Sequence, residues 1–98
     1  MINVYIITAN EWTPITTAGQ SGTCWINEDF ENAVGKQDVR LFPSLTFPLT
    51  EDINKAKRVY KPNSNDDVIN FDANGTLEIL YARCFNPGDN ATLHVSVS

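Results

Sequence analysis

The sequence predicts an all-β fold, a single small antiparallel β-sandwich or barrel of about eight short strands that spans residues 1–98. Short apolar runs recur about every ten residues, and Pro, Gly and Asn residues separate them, which is the pattern of a sandwich or barrel. No helical periodicity lasts long enough for an α/β fold. The chain therefore has to build its core from strands alone.

Residues 76–84 are the stretch around which the predicted fold is organised. They follow the turn signal Asn74-Gly75, and a second turn signal covers residues 86–89. Beyond it, apolar and polar residues alternate over 91–97. Two apolar runs separated by such a loop predict an antiparallel hairpin, against which the upstream strands bury one face.

The first half of the chain predicts three strands. Residues 2–8 are rich in β-branched side chains, and we expect this terminal strand to pair inside the sheet or with a neighbouring subunit. Residues 12–26 predict a hairpin with a loop at 19–22, and Pro14 places its first strand at a sheet edge or bulge. Residues 27–36 form either one helical turn closed by Gly35 or a loop plugged by Phe30.

The second half begins with a strand at 37–42, which Pro43 ends. Residues 45–53 are unusually apolar for a loop, so we expect them to cover an open end of the core or to contact a partner. Thr50 is a candidate cap for a short helix that buries Ile53 and Ala56. Short strands at 58–60 and 68–71 then lead back to the hairpin.

Strand alternation predicts which side chains fill the core. The predicted core residues are Tyr5 or its neighbours, Val39, Leu41, Leu77, Ile79, Leu93 and Val95.

Composition limits the partners. The chain has 12 acidic and 7 basic residues, a net charge of −5, which argues against nucleic acid and anionic membranes as partners, despite a basic cluster at residues 55–61. No apolar run approaches the ~18 residues of a membrane helix, and no signal peptide is recognisable. We therefore expect a soluble protein made in a cytoplasm.

Residues that could carry chemistry are few. Cys24 and Cys84 are predicted to be free, buried thiols, and His94 is predicted to face solvent. A Cys84–His94 pair is what an enzyme would need, and we rank that function last. Zinc spacing is absent, and the acidic turn at Asp66, Asp67 and Asp72 does not match a calcium loop, so no cofactor or metal is expected.

Exposed aromatic side chains could stack on sugar rings. Trp12 and Trp25 belong to one predicted hairpin and could lie near each other. We expect Trp25 to fill the core and Trp12, near an edge, to be more open. A carbohydrate- or receptor-binding β-sandwich is therefore the alternative function.

The order of several short pieces resembles small structural proteins of tailed phages and prophages. The pieces are Glu-Trp-Thr at 11–13, a Gly-rich turn at 18–23, Pro43, Leu-Tyr-Ala-Arg at 80–83 and Ala-Thr-Leu-His-Val at 91–95. The resemblance implies a non-enzymatic virion component made in the host bacterial cytoplasm. Such a component is a capsid decoration or a fibre- or tail-associated module, often a trimer, that contacts a major capsid or tail protein.

Open sheet edges and surplus apolar side chains also predict a homo-oligomer. Arg83, beside Tyr81, suits an ion pair or stack at a rim or subunit contact, or is a simple strand-face arginine. The candidate interaction residues are Trp12, Leu45, Phe47, Leu49 and Arg83.

Overall fold

A computed structural model of the chain describes residues 2–26, 39–59, 68–73, 75–88 and 90–97. These residues contain eight strands and one 3-10 helix. The strands are β1 (Ile2–Thr8), β2 (Thr13–Pro14), β3 (Gly22–Ile26), β4 (Val39–Ser44), β5 (Lys57–Val59), β6 (Val68–Phe71), β7 (Ile79–Cys84) and β8 (Asn90–Val97), and the helix is Thr50–Lys55.

The strands form two four-stranded antiparallel sheets. Sheet A has the order β1-β8-β3-β6, and sheet B has the order β2-β7-β4-β5. This confirms the predicted all-β antiparallel fold. It also confirms that the Pro14 strand lies at an edge, where a residue without an N–H is tolerated.

The core lies between the sheets, where β3, β4 and β8 bury alternate side chains. Sheet A contributes Ile7, Cys24, Ile26, Ala91, Leu93 and Val95, and sheet B contributes Val39, Leu41, Leu80, Ala82 and Cys84, with Ile15 following β2. Tyr5 is half-buried and packs against this cluster. The predicted core positions in β1, β4 and β8 are therefore confirmed.

The predicted hairpins are wrong. Strand β7 lies in sheet B and β8 in sheet A, so the turn after β7 crosses between the sheets instead of joining paired neighbours. The same holds for β2 and β3, which the sequence predicted to be paired. Two apolar runs flanking a turn suit either a hairpin or a crossing, because local pattern does not encode which distant strand supplies the hydrogen bonds.

The predicted phase of β7 is also wrong. Leu77 lies before the strand and is 74% exposed, while Ile79 is half-buried on the face away from the core. Leu80 and Ala82 point inward instead. The phase was ambiguous because β7 is covered on both faces: Tyr81, on the outer face, is as buried as its neighbours.

Two predicted boundaries shift. Leu49, not Thr50, caps the 3-10 helix, and its N–H donates to the Asp52 carboxylate at 2.9 Å. Ile53 and Ala56 are only half-buried, so the prediction that a short helix buries them is wrong. Pro43 lies inside β4, where β5 pairs only as far as Leu41. Beyond Leu41, β4 pairs only with β7 among the described residues. The side of β4 that β5 has left therefore needs no backbone N–H from Pro43.

The alternatives for residues 27–36, including the Phe30 plug, lie outside the described residues, as do Asp66 and Asp67.

Candidate interaction surfaces

The outer face of sheet B carries an aromatic cluster on the side opposite the core. Tyr81 is directly opposite both Pro14 and Phe42 in neighbouring strands. The Trp12 ring lies 6.0 Å from the Phe42 ring between centroids. Trp12 and Tyr81 are 3% and 5% exposed. Together with Phe47 they form what we call the outer aromatic cluster (Trp12, Phe42, Phe47, Tyr81).

Residues 45–49, the apolar segment, lie against the other members of this cluster and contact them through Phe47 and Leu49. The Phe47 ring stands edge-on to Tyr81, with the centroids 5.5 Å apart and an interplanar angle of 75°. The indole Nε1–H of Trp12 donates to the Leu49 carbonyl oxygen at 3.0 Å, and Pro48 is buried. These contacts attach the segment to sheet B.

The apolar segment nevertheless presents large side chains to solvent. Leu45, Phe47 and Leu49 are 68%, 60% and 62% exposed. The sequence predicted that residues 45–53 either cover an open end of the core or contact a partner, but the segment packs on the outer face of sheet B instead of an end of the core. The segment packs against the outer aromatic cluster and still leaves these three large apolar side chains more than half exposed.

Trp12 is a correction to the predicted interaction residues. The sequence predicted an open tryptophan near a sheet edge, but the ring is buried under the apolar segment. The position of Trp12 two residues before Pro14 could have indicated its orientation, because residues two apart in an extended chain point to the same face. That face could be identified only through Tyr81, far along the chain.

Arg83 does not reach a rim. Its side chain is half-buried, and its Nε and Nη2 groups donate to the Ala9 carbonyl oxygen at 3.0 and 2.8 Å. It therefore attaches the loop between β1 and β2 to β7. Arg40 lies directly opposite in β4, with its guanidinium carbon 4.3 Å from the centroid of the Phe85 ring. The two facing guanidinium groups thus have separate contacts, which limits the cost of placing like charges opposite each other.

Strand β1 forms a second exposed apolar surface. Ile2, Val4 and Ile6 are 56%, 56% and 64% exposed, and they project from the outer face of sheet A. We call them the β1 apolar row. Because β1 is the first strand of sheet A, it pairs with β8 on one side and borders no strand on the other among the described residues.

Trp25 and His94 form an aromatic pair on the same outer face. They are directly opposite each other in β3 and β8, and their rings are stacked 5.7 Å apart with an interplanar angle of 18°. The prediction that Trp25 fills the core is wrong, since its side chain is only half-buried. The outward position of His94 is confirmed.

The two cysteines are free and buried, as predicted. Cys84 points between the sheets, and its thiol donates to the Ile7 carbonyl oxygen at 3.4 Å. His94 lies on the opposite face of sheet A, so sheet A itself separates the imidazole from this thiol. The Cys84–His94 pair on which the enzyme hypothesis depended is not formed.

Acidic side chains were the other candidates for chemistry. Among the described residues, no group of three His, Cys, Asp or Glu side chains could hold a metal ion. Asp72 accepts a hydrogen bond from the Ser21 hydroxyl at 2.7 Å. An open cavity of about 180 Å³ lies beside it, with Leu41 and Phe71 in its wall and Glu78 among its lining residues. The exposed surface of that wall is mainly apolar, and Leu41 and Leu80 in it belong to the core.

In the described part of the chain, no helix is long and apolar enough to cross a bilayer. Comparison with protein-family models, with curated proteins and with solved structures finds no match to this chain.

Proposed function

We propose that this protein is a non-enzymatic structural component of a tailed-phage virion, a capsid-surface decoration or a head-fibre or tail-associated module. It self-associates and docks on a larger virion protein through its apolar segment. The observation that carries this proposal is the exposure of Leu45, Phe47 and Leu49, each above one half, on a segment whose backbone is held in place. Contiguous apolar surface of this kind favours contact with another protein.

The anchoring of the apolar segment supports an interface better than exposure alone does. Its hydrogen bond from Trp12, the Asp52 carboxylate on the Leu49 N–H, and the edge-on contact of Phe47 with Tyr81 all limit its motion. A surface ordered before binding loses less conformational entropy when the complex forms. Phe47 is the natural anchor, because aromatic side chains dominate the centres of interfaces.

The resemblance supplies the particle and the symmetry. Small structural proteins of tailed phages, which this order of sequence pieces resembles, often assemble as trimers, so we propose a homotrimer located on the virion. The net charge of −5 disfavours packaged nucleic acid as the partner. An apolar, uncharged contact such as the apolar segment suits a protein surface, here the virion protein on which the chain docks.

The test is sedimentation velocity on the native chain and on single charge substitutions. Phe47→Glu places a carboxylate in the proposed contact, and we expect it to dissociate the assembly while the far-UV circular dichroism stays native. Leu77→Glu is the matched control, because Leu77 is 74% exposed and lies outside the apolar segment. We expect this control to assemble like the native chain. A native chain that is monomeric at high concentration, or equal effects of the two substitutions, would contradict the proposal.

A second candidate function is carbohydrate or receptor binding by the outer face of sheet A. The stacked Trp25–His94 pair favours it, since a half-buried indole presents its remaining face to a ligand. A glycan array probed with the native chain and with Trp25→Ala tests this function. Binding of the native chain to a glycan that is lost with Trp25→Ala would support this function. An array without signal for the native chain would exclude carbohydrate binding.

A further inference from the structure

The four edge strands of the two sheets differ in how well they are protected. Strand β2 has two residues and contains Pro14, β5 has three residues and carries Lys57 and Arg58, and β6 has four. Short length, proline and positive charge are the usual devices that keep an edge from pairing with another chain. Strand β1 has seven residues and none of these devices.

The open edge of β1 is suited to pairing. Its ladder with β8 runs without interruption from Ile2↔Ser96 to Thr8↔Asn90, so the strand is regular along its whole length. Every second residue directs its N–H and C=O groups away from β8. Beside that row of backbone groups stands the β1 apolar row, which is more than half exposed at each of its three positions.

We propose that β1 pairs antiparallel with β1 of a second copy of this chain, across a two-fold axis at Val4. The two copies of sheet A then form one continuous eight-stranded sheet. This inference rests on the proposed function, because both require self-association, and it adds a contact that is separate from the apolar segment.

The register follows from the apolar row. With the axis at Val4, Ile2 lies opposite the second copy's Ile6 and Val4 lies opposite its own equivalent, so all six exposed side chains pair on one face. Moving the axis by one residue to Tyr5 would set Ile2 opposite Thr8 and leave apolar surface uncovered. The Val4 register is therefore the one that places every exposed apolar side chain of one copy opposite an exposed apolar side chain of the other.

A second copy is favoured over an unrelated partner by symmetry and charge. An isologous contact needs a surface that complements itself, and a row of alternating apolar side chains centred on Val4 has this property. The strand Ile2–Thr8 contains no charged residue. Two chains of net charge −5 therefore meet here without opposing like charges.

The two contacts lie on different sheets, so they can form together. A three-fold contact through the apolar segment and a two-fold contact through β1 combine, in the simplest closed arrangement, into a hexamer with D3 symmetry. Removing the β1 contact alone is then expected to halve the mass of the assembly and leave the other contact intact.

The experiment uses the full chain with Val4→Lys and with Val4→Glu, studied separately and as an equimolar mixture. By sedimentation velocity, each variant alone is expected to lose half the native mass because like charges face each other across the axis. The mixture is expected to regain the native mass, because lysine then faces glutamate. Val4→Thr, which stays neutral and β-branched, is the control and is expected to retain the native mass.

Three results would overturn the inference, and they separate it from the proposed function. Native mass in both charged variants would exclude β1 and leave self-association through the apolar segment standing. A mixture that stays at half mass would exclude a two-fold axis at Val4. A monomeric native chain would remove the second copy as occupant and the proposed self-association together.

Discussion

Replacing Trp12 with phenylalanine tests whether the outer aromatic cluster stabilises this fold. The indole is 3% exposed and donates a hydrogen bond of 3.0 Å to the Leu49 carbonyl oxygen. Phenylalanine keeps an aromatic ring at the same position and removes the donor together with two ring carbons. The substitution therefore isolates the attachment of the apolar segment without deleting the whole side chain.

The expected magnitude follows from two terms. Losing a hydrogen bond of this kind costs about 0.5–1.5 kcal/mol. The two carbons by which the indole exceeds a phenyl ring contribute about 0.8 kcal/mol each when buried. The free energy of unfolding should fall by about 2.5 kcal/mol, which corresponds to a fall in melting temperature of about 10–20 °C for a domain of this size.

Trp25→Phe is the matched control because it makes the same chemical change in the other sheet. Trp25 is half-buried, and a phenyl ring can still stack on His94. We expect this variant to lose at most about 1 kcal/mol. Urea denaturation followed by circular dichroism measures both variants without depending on the tryptophan signal that each one changes.

Equal or reversed losses in the two variants would refute this reasoning, since they would mean that Trp12 is no better packed than a surface ring. Fluorescence provides an independent check. The Trp25→Phe chain should emit from a buried indole that resists quenching by acrylamide, and the Trp12→Phe chain should emit from one that is readily quenched.

Three other substitutions and measurements have definite expected outcomes. Gly22→Ala places a Cβ in overlap with the Ser96 carbonyl oxygen of β8, and this overlap should cost about 1–3 kcal/mol; a variant as stable as the native chain in urea would contradict the close strand approach. Arg83→Lys replaces two guanidinium donors to one carbonyl oxygen with a flexible point charge, and we expect a loss of about 1–2 kcal/mol and faster hydrogen exchange in the β1–β2 loop. Thiol titration of Cys24 and Cys84 should find no reaction in the native state and two groups in denaturant without reductant; two immediately reactive thiols would contradict their burial.

Strand positions were predictable because alternation is a local property. The residues of β1, β4 and β8 alternate between the core and the outer face in the expected phase, and the terminal pattern that selected Leu93 and Val95 is fulfilled at 0% exposure for both. The apolar segment was also recognisable, since a loop with Leu45, Phe47 and Leu49 is unusual whatever its surroundings.

The roles of the two tryptophans could not be predicted, and the prediction reversed them. Trp12 is buried beneath a segment more than thirty residues away, to which its indole donates. Trp25 is half-exposed because Cys24 and Ile26 are the residues of β3 that point into the core, so Trp25 lies with His94 on the outer face. Burial outside the main core depends on which loop covers a sheet face, and that is decided by contacts between distant parts of the chain.

The sequence by itself determined the all-β class, most strand boundaries, the unusual apolar character of residues 45–49 and the free state of the cysteines, because each depends on local alternation, turn chemistry or composition. Only the tertiary structure decided that β7 and β8 belong to different sheets, that Arg83 binds a backbone carbonyl, and that β1 is the longest edge strand among the described residues. The physical reason is that backbone hydrogen bonding is the same for every strand pair. Partner choice therefore comes from how both faces of each sheet are covered, which no short stretch of residues records.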